Sequence, residues 1–194
     1  MDIKRISSLI SIILGPATWL PVLFLAILLR SELNNHQLTI LFPSILILEV
    51  LIPLAYLYFA PKLGLATTWD LPKRNERYPF LSLVFITNFI SLLLVYQFGT
   101  KLFFNLSILL TTCLTIFFIT TLYWQISLHT ALNTFGAILI NFLFGWSLSF
   151  LYLMIPIIFW ARLKQNKHSI TQLLAGIIIS GSVVLCGLRY FGYW

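Results

Sequence analysis

Long charge-free runs constrain this chain more than any other feature. Residues 131–160 are thirty residues without a single Asp, Glu, Lys or Arg. A helix needs about 20 apolar residues to cross the hydrocarbon core of a bilayer. That run is too long for one ordinary span and short for two, and Asn141 and Gly145 place a turn near its middle. Further runs of span length cover 6–29, 38–60, 80–98, 102–123 and 170–188. They are continuous rather than alternating, which favours helices over a barrel. In lipid only those two architectures satisfy every backbone group. The expectation is an all-α, polytopic transmembrane bundle of six to seven spans, forming a single integral-membrane domain over residues 1–194. Charged residues make up 9% of the chain, against roughly 25% in soluble domains, which leaves no room for a water-soluble domain.

The first run follows Lys4 and Arg5 and lacks a small-residue cleavage site, so it reads as the first span rather than a signal peptide. Gly15, Pro16 and Pro21 predict a kink within it. Glu49 falls near the middle of the second run, where an acid is expensive and hints at function. The alternative is a protonated Glu49 bonded to a neighbouring helix. Cys113 and Cys186 sit in apolar runs and read as buried hydrophobes, not as a disulfide or a metal pair. Trp69, Trp124, Trp160 and Trp194 read as interfacial belts, and His36 as solvent-facing.

The formal net charge is +7. Nucleic acid is rejected as the partner, because the cations lie in short turns between spans. Membrane lipids and a phosphate ligand explain them better. With seven spans, Lys4, Arg5, Lys62, Lys73, Arg74, Arg77, Arg162, Lys164 and Lys167 share one face, against Arg30, Lys101 and Arg189 on the other. The positive-inside rule makes the richer face cytoplasmic, in a plasma or bacterial inner membrane.

Residues 162–176, RLKQNKHSITQLLAG, hold Arg162 and His168 between two oily runs. Polar stretches at 70–79 and 127–129 add Arg77, Ser127 and His129 to the same face. Arginine grips phosphate oxygens with its planar fork. Histidine can act as nucleophile or proton donor near neutral pH. Two histidines and two arginines in turns on one face therefore point to phosphate-ester chemistry.

These residues resemble the three motifs of the type 2 phosphatidic acid phosphatase superfamily, a group of membrane helical bundles. Arg162, five residues, His168, three residues and Gln172 are similar to its third motif, and Ile126-Ser127-Leu128-His129 to its second. Asp70, six residues and Arg77 are similar to the first, with proline delayed to Pro79. The resemblance covers residues 70–181, within a phosphatase-like core of about 38–190. It implies a phosphatase acting on a lipid phosphate or diphosphate, either polyprenyl or phosphatidate-like. His168 would attack phosphorus and His129 would protonate the leaving oxygen. Arg77, Arg162 and Ser127 would hold the phosphate, with no metal or other cofactor required.

The chain departs from the pattern at three places. Asp70 replaces a lysine, and Lys73 or Arg74 stands about one turn onward as a substitute. Gln172 replaces the aspartate that orients the nucleophile; its oxygen can still fix the imidazole tautomer but cannot offset a charge. Asp70 or Glu76 is an alternative orienting acid. Leu128 replaces a glycine. Two other readings compete: a lipid-phosphate-binding protein with impaired chemistry, and a small transporter component suggested by Glu49 and the prolines.

Overall fold

The computed structural model describes residues 3–194, and every regular element among them is a helix. Five helical segments are long and apolar enough to cross a membrane: Ile3–Arg30, Asn35–Phe59, Arg74–Phe98, Lys101–Tyr123 and Ile170–Tyr190. Their outer surfaces carry Leu, Ile and Phe side chains that a lipid solvent accepts. The chain packs as two compact units, residues 31–125 and residues 1–30 with 126–194.

In the unit of residues 31–125, α3 (Asn35–Ile45) starts on a capping box between Asn34 and Gln37. It continues through a π-helical turn (Leu46–Leu51) into α4 (Ile52–Phe59). Pro53 has no N–H to give back to the preceding turn, and the ladder before it widens so that Ile52 N–H reaches Ile47 O. Glu49 lies in this wide turn, 3% exposed. Its Oε1 accepts from Asn88 Nδ2 at 3.0 Å, and Asn88 Oδ1 accepts from Thr111 Oγ1 at 2.7 Å. The acid thereby ties together three helices, the other two being α5 (Arg74–Phe98) and α6 (Lys101–Tyr123).

Arg74, Glu76, Arg77 and Pro79 belong to α5, not to a loop as the sequence suggested. Pro79 is the sixth residue of α5, so it removes the intrahelical bond to Asn75 O in the second turn. The turn before α5 folds over a small core of Ala60, Ala66 and Leu71, packed by Tyr56, Leu57 and Phe80.

In the other unit, α1 (Ile3–Ile13) and α2 (Pro16–Arg30) meet at a break. Pro16 cannot donate to Ile12 O, and Thr18 Oγ1 supplies that bond at 2.9 Å while also meeting Ile13 O at 2.6 Å. Leu14 O takes Asn133 Nδ2 at 2.7 Å. The expected kink is therefore a break whose freed carbonyls are satisfied from inside the protein, as lipid demands. The centre of the unit is α7 (Leu128–Leu143), with thirteen of sixteen residues buried. Trp19 Nε1 bonds Leu132 O and Arg30 Nε bonds Leu143 O, so α2 runs parallel to α7. α9 (Ile170–Tyr190) also runs parallel to α7, from Ser127 N–H on Gln172 O at one end to Phe142 against Tyr193 at the other.

After α7 the chain turns at 144–148, where Gly145 and Trp146 take positive φ. Asn141 accepts Leu148 N–H with its side chain and Trp146 N–H with its backbone. The turn falls where Asn141 and Gly145 placed it. A 3₁₀ turn (Ser149–Leu153) leads into α8 (Met154–Lys164). Cys113 is buried as expected, but Cys186 is exposed on the outer side of α9. A thiol is apolar enough to face lipid.

The Glu49 network makes a stability test. Asn88→Ala leaves the buried carboxyl without its donor and should cost about 1 kcal/mol in detergent unfolding, while Glu49→Gln keeps an acceptor and should be neutral. Equal losses for both would show that the bond contributes little.

Candidate active site

The site begins with a glycine. A Cβ at Gly176 would sit 2.5 Å from Thr130 Oγ1 and 2.8 Å from Ser127 O. Only glycine lets the start of α7 lie this closely on α9. Ser127 N–H then reaches Gln172 O at 3.3 Å, and Thr130 Oγ1 reaches Leu173 O at 3.1 Å. Two helix N-termini are brought side by side. Each carries partial positive charge, a setting that favours an anion. Ser127 is the N-cap of α7, fully buried, with His129 in the first turn behind it.

His168 precedes Ser169, the N-cap of α9. Ser169 N–H donates to Gln172 Oε1 at 3.0 Å, and Ser169 Oγ accepts from Gln172 N at 3.3 Å. This capping box fixes which end of the amide is oxygen, since a backbone N–H can only donate. The same oxygen lies 3.3 Å from His168 Nδ1. Facing an acceptor, Nδ1 is the donor of this pair, and in the neutral ring the lone pair then sits on Nε2. Burial of the ring at 6% exposure limits its other orientations.

Arg162, at the C-terminal end of α8, is 2% exposed. Its Nη1 donates to Ser11 Oγ at 2.7 Å and approaches Gln165 Oε1 at 3.5 Å. Gln165 Nε2 in turn donates to Ser7 O at 2.6 Å. Lys167 N–H on Arg162 O, at 3.2 Å, folds the α8–α9 turn and carries His168 back beside the same helix end. His129 reaches the break between α1 and α2: its Nε2 lies 3.6 Å from where a Gly15 Cβ would stand, one turn beyond Ser11. Ser127, His129, Arg162, His168 and Gln172 are thus gathered at one end of this unit.

Ser7, Ser11, Gly15 and Gln165 are partners that the motif spacing did not reveal. The signal was a spacing of four: Ser7, Ser11 and Gly15 line one side of a helix that otherwise reads as oil. Ser7 and Ser11 are the only buried residues of α1, while Leu9, Ile12 and Ile13 are exposed.

Asp70, Lys73, Arg74 and Arg77 belong to the other unit. Arg77 is buried, and its Nε donates to Leu71 O at 2.9 Å, holding a residue with positive φ. With its amide oxygen turned inward, Gln125 accepts from Arg77 Nη2 at 2.8 Å. Arg74 Nη1 caps the α6 carbonyl of Tyr123 at 2.8 Å. Lys73, exposed, is 3.8 Å from Glu76, whose Oε1 also accepts Thr67 Oγ1 at 2.8 Å. Glu76 is therefore engaged with Thr67. Asp70 is half-buried in the turn before α5. Among the described residues, no group of three or more His, Cys, Asp or Glu is placed to hold a metal ion.

The helix contact yields a paired test. Gly→Ala in a helix ordinarily stabilises by about 0.5–1 kcal/mol. Gly181→Ala should do so, because its Cβ would meet only ordinary contacts at 3.6 and 3.8 Å. Gly176→Ala should instead destabilise by about 1–3 kcal/mol through overpacking. Thermal unfolding in detergent checks both, and a stabilising Gly176→Ala would contradict the contact. Compared with protein-family profiles, curated proteins and solved structures, the chain has no match.

Proposed function

We propose that the chain is an integral-membrane phosphatase that hydrolyses a lipid phosphate or diphosphate through a phosphohistidine intermediate. One observation carries this reading: a buried histidine whose Nδ1 faces an oxygen fixed by a helix cap, at the helix end that also holds a buried arginine and a second buried histidine. The resemblance of residues 126–129 and 162–172 to the lipid phosphatase motifs agrees with it.

In this mechanism His168 Nε2 attacks phosphorus, a P–N bond forms, and the P–O bond to the lipid breaks. His129 gives its proton to the leaving oxygen. A water then attacks phosphorus and gives its proton to His129, and the P–N bond breaks to release inorganic phosphate. Arg162 and the N-terminal N–H groups of α7 and α9 stabilise charge on the transferring group, the main contribution such sites make. Gln172 offers a dipole where a carboxylate would offset the imidazolium, so turnover is slower than with an acid.

The same reading sets α7, and the 3₁₀ turn with α8, as two short crossings beside the five long ones, giving seven. α2, α7 and α9 run parallel, as first, fifth and seventh crossings must. The site then faces the cytoplasm, and the substrate tail stays in the lipid. A polyprenyl or phosphatidate-like tail suits this placement. The neutral Gln172 favours one second reading, a lipid-phosphate-binding protein without turnover.

Phosphate release from a panel of lipid phosphates, with and without chelator, tests the proposal. Wild-type protein should release phosphate with chelator present. His168→Ala should lose at least a thousandfold, and Gln172→Glu, which keeps the cap, should turn over faster by about tenfold, one pK unit's worth of stabilisation. Binding without release would favour the second reading, and full activity in His168→Ala would eliminate the nucleophile.

A further inference from the structure

The first helix supplies a side chain to the site that none of the three motifs contains. Ser11 is 4% exposed, and its Oγ accepts from Arg162 Nη1 at 2.7 Å. A helical serine usually turns its own O–H back onto the carbonyl four residues earlier. For Ser11 that carbonyl is Ser7 O, and Gln165 Nε2 already occupies it at 2.6 Å. Ser7, by contrast, does back-bond, its Oγ meeting Lys4 O at 3.0 Å. Among the described residues Ser11 Oγ is bonded only as an acceptor, from Arg162 Nη1, so its hydroxyl proton lies beside a buried guanidinium. The neighbouring break at Gly15, one turn onward, admits the ring of His129.

A buried O–H needs an acceptor, and one whose oxygen already takes a guanidinium N–H is placed to share an anion with that guanidinium. We propose that Ser11 is a phosphate-binding residue, donating its O–H to the anion that Arg162 grips, so that the first helix forms one wall of the phosphate site. The inference rests on the phosphatase reading and adds a binding group to it.

The test uses the full-length protein in detergent, with phosphate release from a lipid phosphate and its inhibition by orthovanadate, a phosphate mimic. A hydrogen bond to a charged group is worth about 1.5–3 kcal/mol. Ser11→Ala should raise the inhibition constant for orthovanadate at least tenfold and lower kcat/KM similarly. Ser11→Cys, nearly the same size but a poor donor and acceptor, should do the same, which separates lost hydrogen bonding from lost volume. If wild-type protein releases phosphate and both variants match it within twofold in kcat/KM and inhibition, Ser11 is only a helix bridge and the inference fails while the phosphatase reading stands. If the wild type neither releases phosphate nor responds to orthovanadate, both fail together.

Discussion

Everything at the proposed catalytic end depends on α7 and α9 touching backbone to backbone at their starts. Gly176 permits that contact, because any side chain there would strike Thr130 and Ser127. Once the helices meet, Ser127 N–H and Thr130 Oγ1 bond to carbonyls in the first turn of α9. Two helix N-termini then face the same small region with their partial positive charges added. An interior position inside a lipid-embedded bundle strengthens such fields, since little solvent screens them.

Around this pair, each polar group is held by a second one. Ser169 fixes the Gln172 amide, and the amide fixes the hydrogen on His168. Gln165 and Ser11 hold the Arg162 guanidinium against α1. Asn133 bridges the broken helix at Leu14 to its own turn at His129, at 2.7 and 2.8 Å. Pre-set geometry of this kind is what phosphoryl transfer needs, because the protein's share of the work is positioning and charge stabilisation. The other unit uses its cations differently: Arg74 and Arg77 stitch the turn before α5 to the end of α6.

Much of this architecture could be read from residue order. Lipid tolerates few charges, so charge-free runs marked the long helices to within a few residues, and Asn141 with Gly145 marked the turn after α7. The resemblance, which sets Gln172 in the place of an orienting aspartate, implied the contact with His168. Other features were hidden for physical reasons. The start of α5 reads as loop because Arg74, Glu76 and Arg77 look like a solvated turn, yet Glu76 and Arg77 bond to the turn before the helix and are buried. Ser7 and Ser11 are lost in an apolar run, because a helix in lipid shows its oily side outward and hides its small polar residues. Leu71 adopts a positive φ that leucine does not advertise, so the carbonyl it offers to Arg77 could not be foreseen.

The claim at the centre is that His168 Nε2 becomes bonded to phosphorus during turnover. Rapid quenching of the protein in alkali after mixing with a lipid phosphate labelled in its phosphoryl group, followed by peptide mapping, addresses it directly. The expected result is an acid-labile, alkali-stable label on the peptide containing His168, absent from His168→Ala. Phosphate release with no protein-bound label, or with the label on another residue, would contradict it.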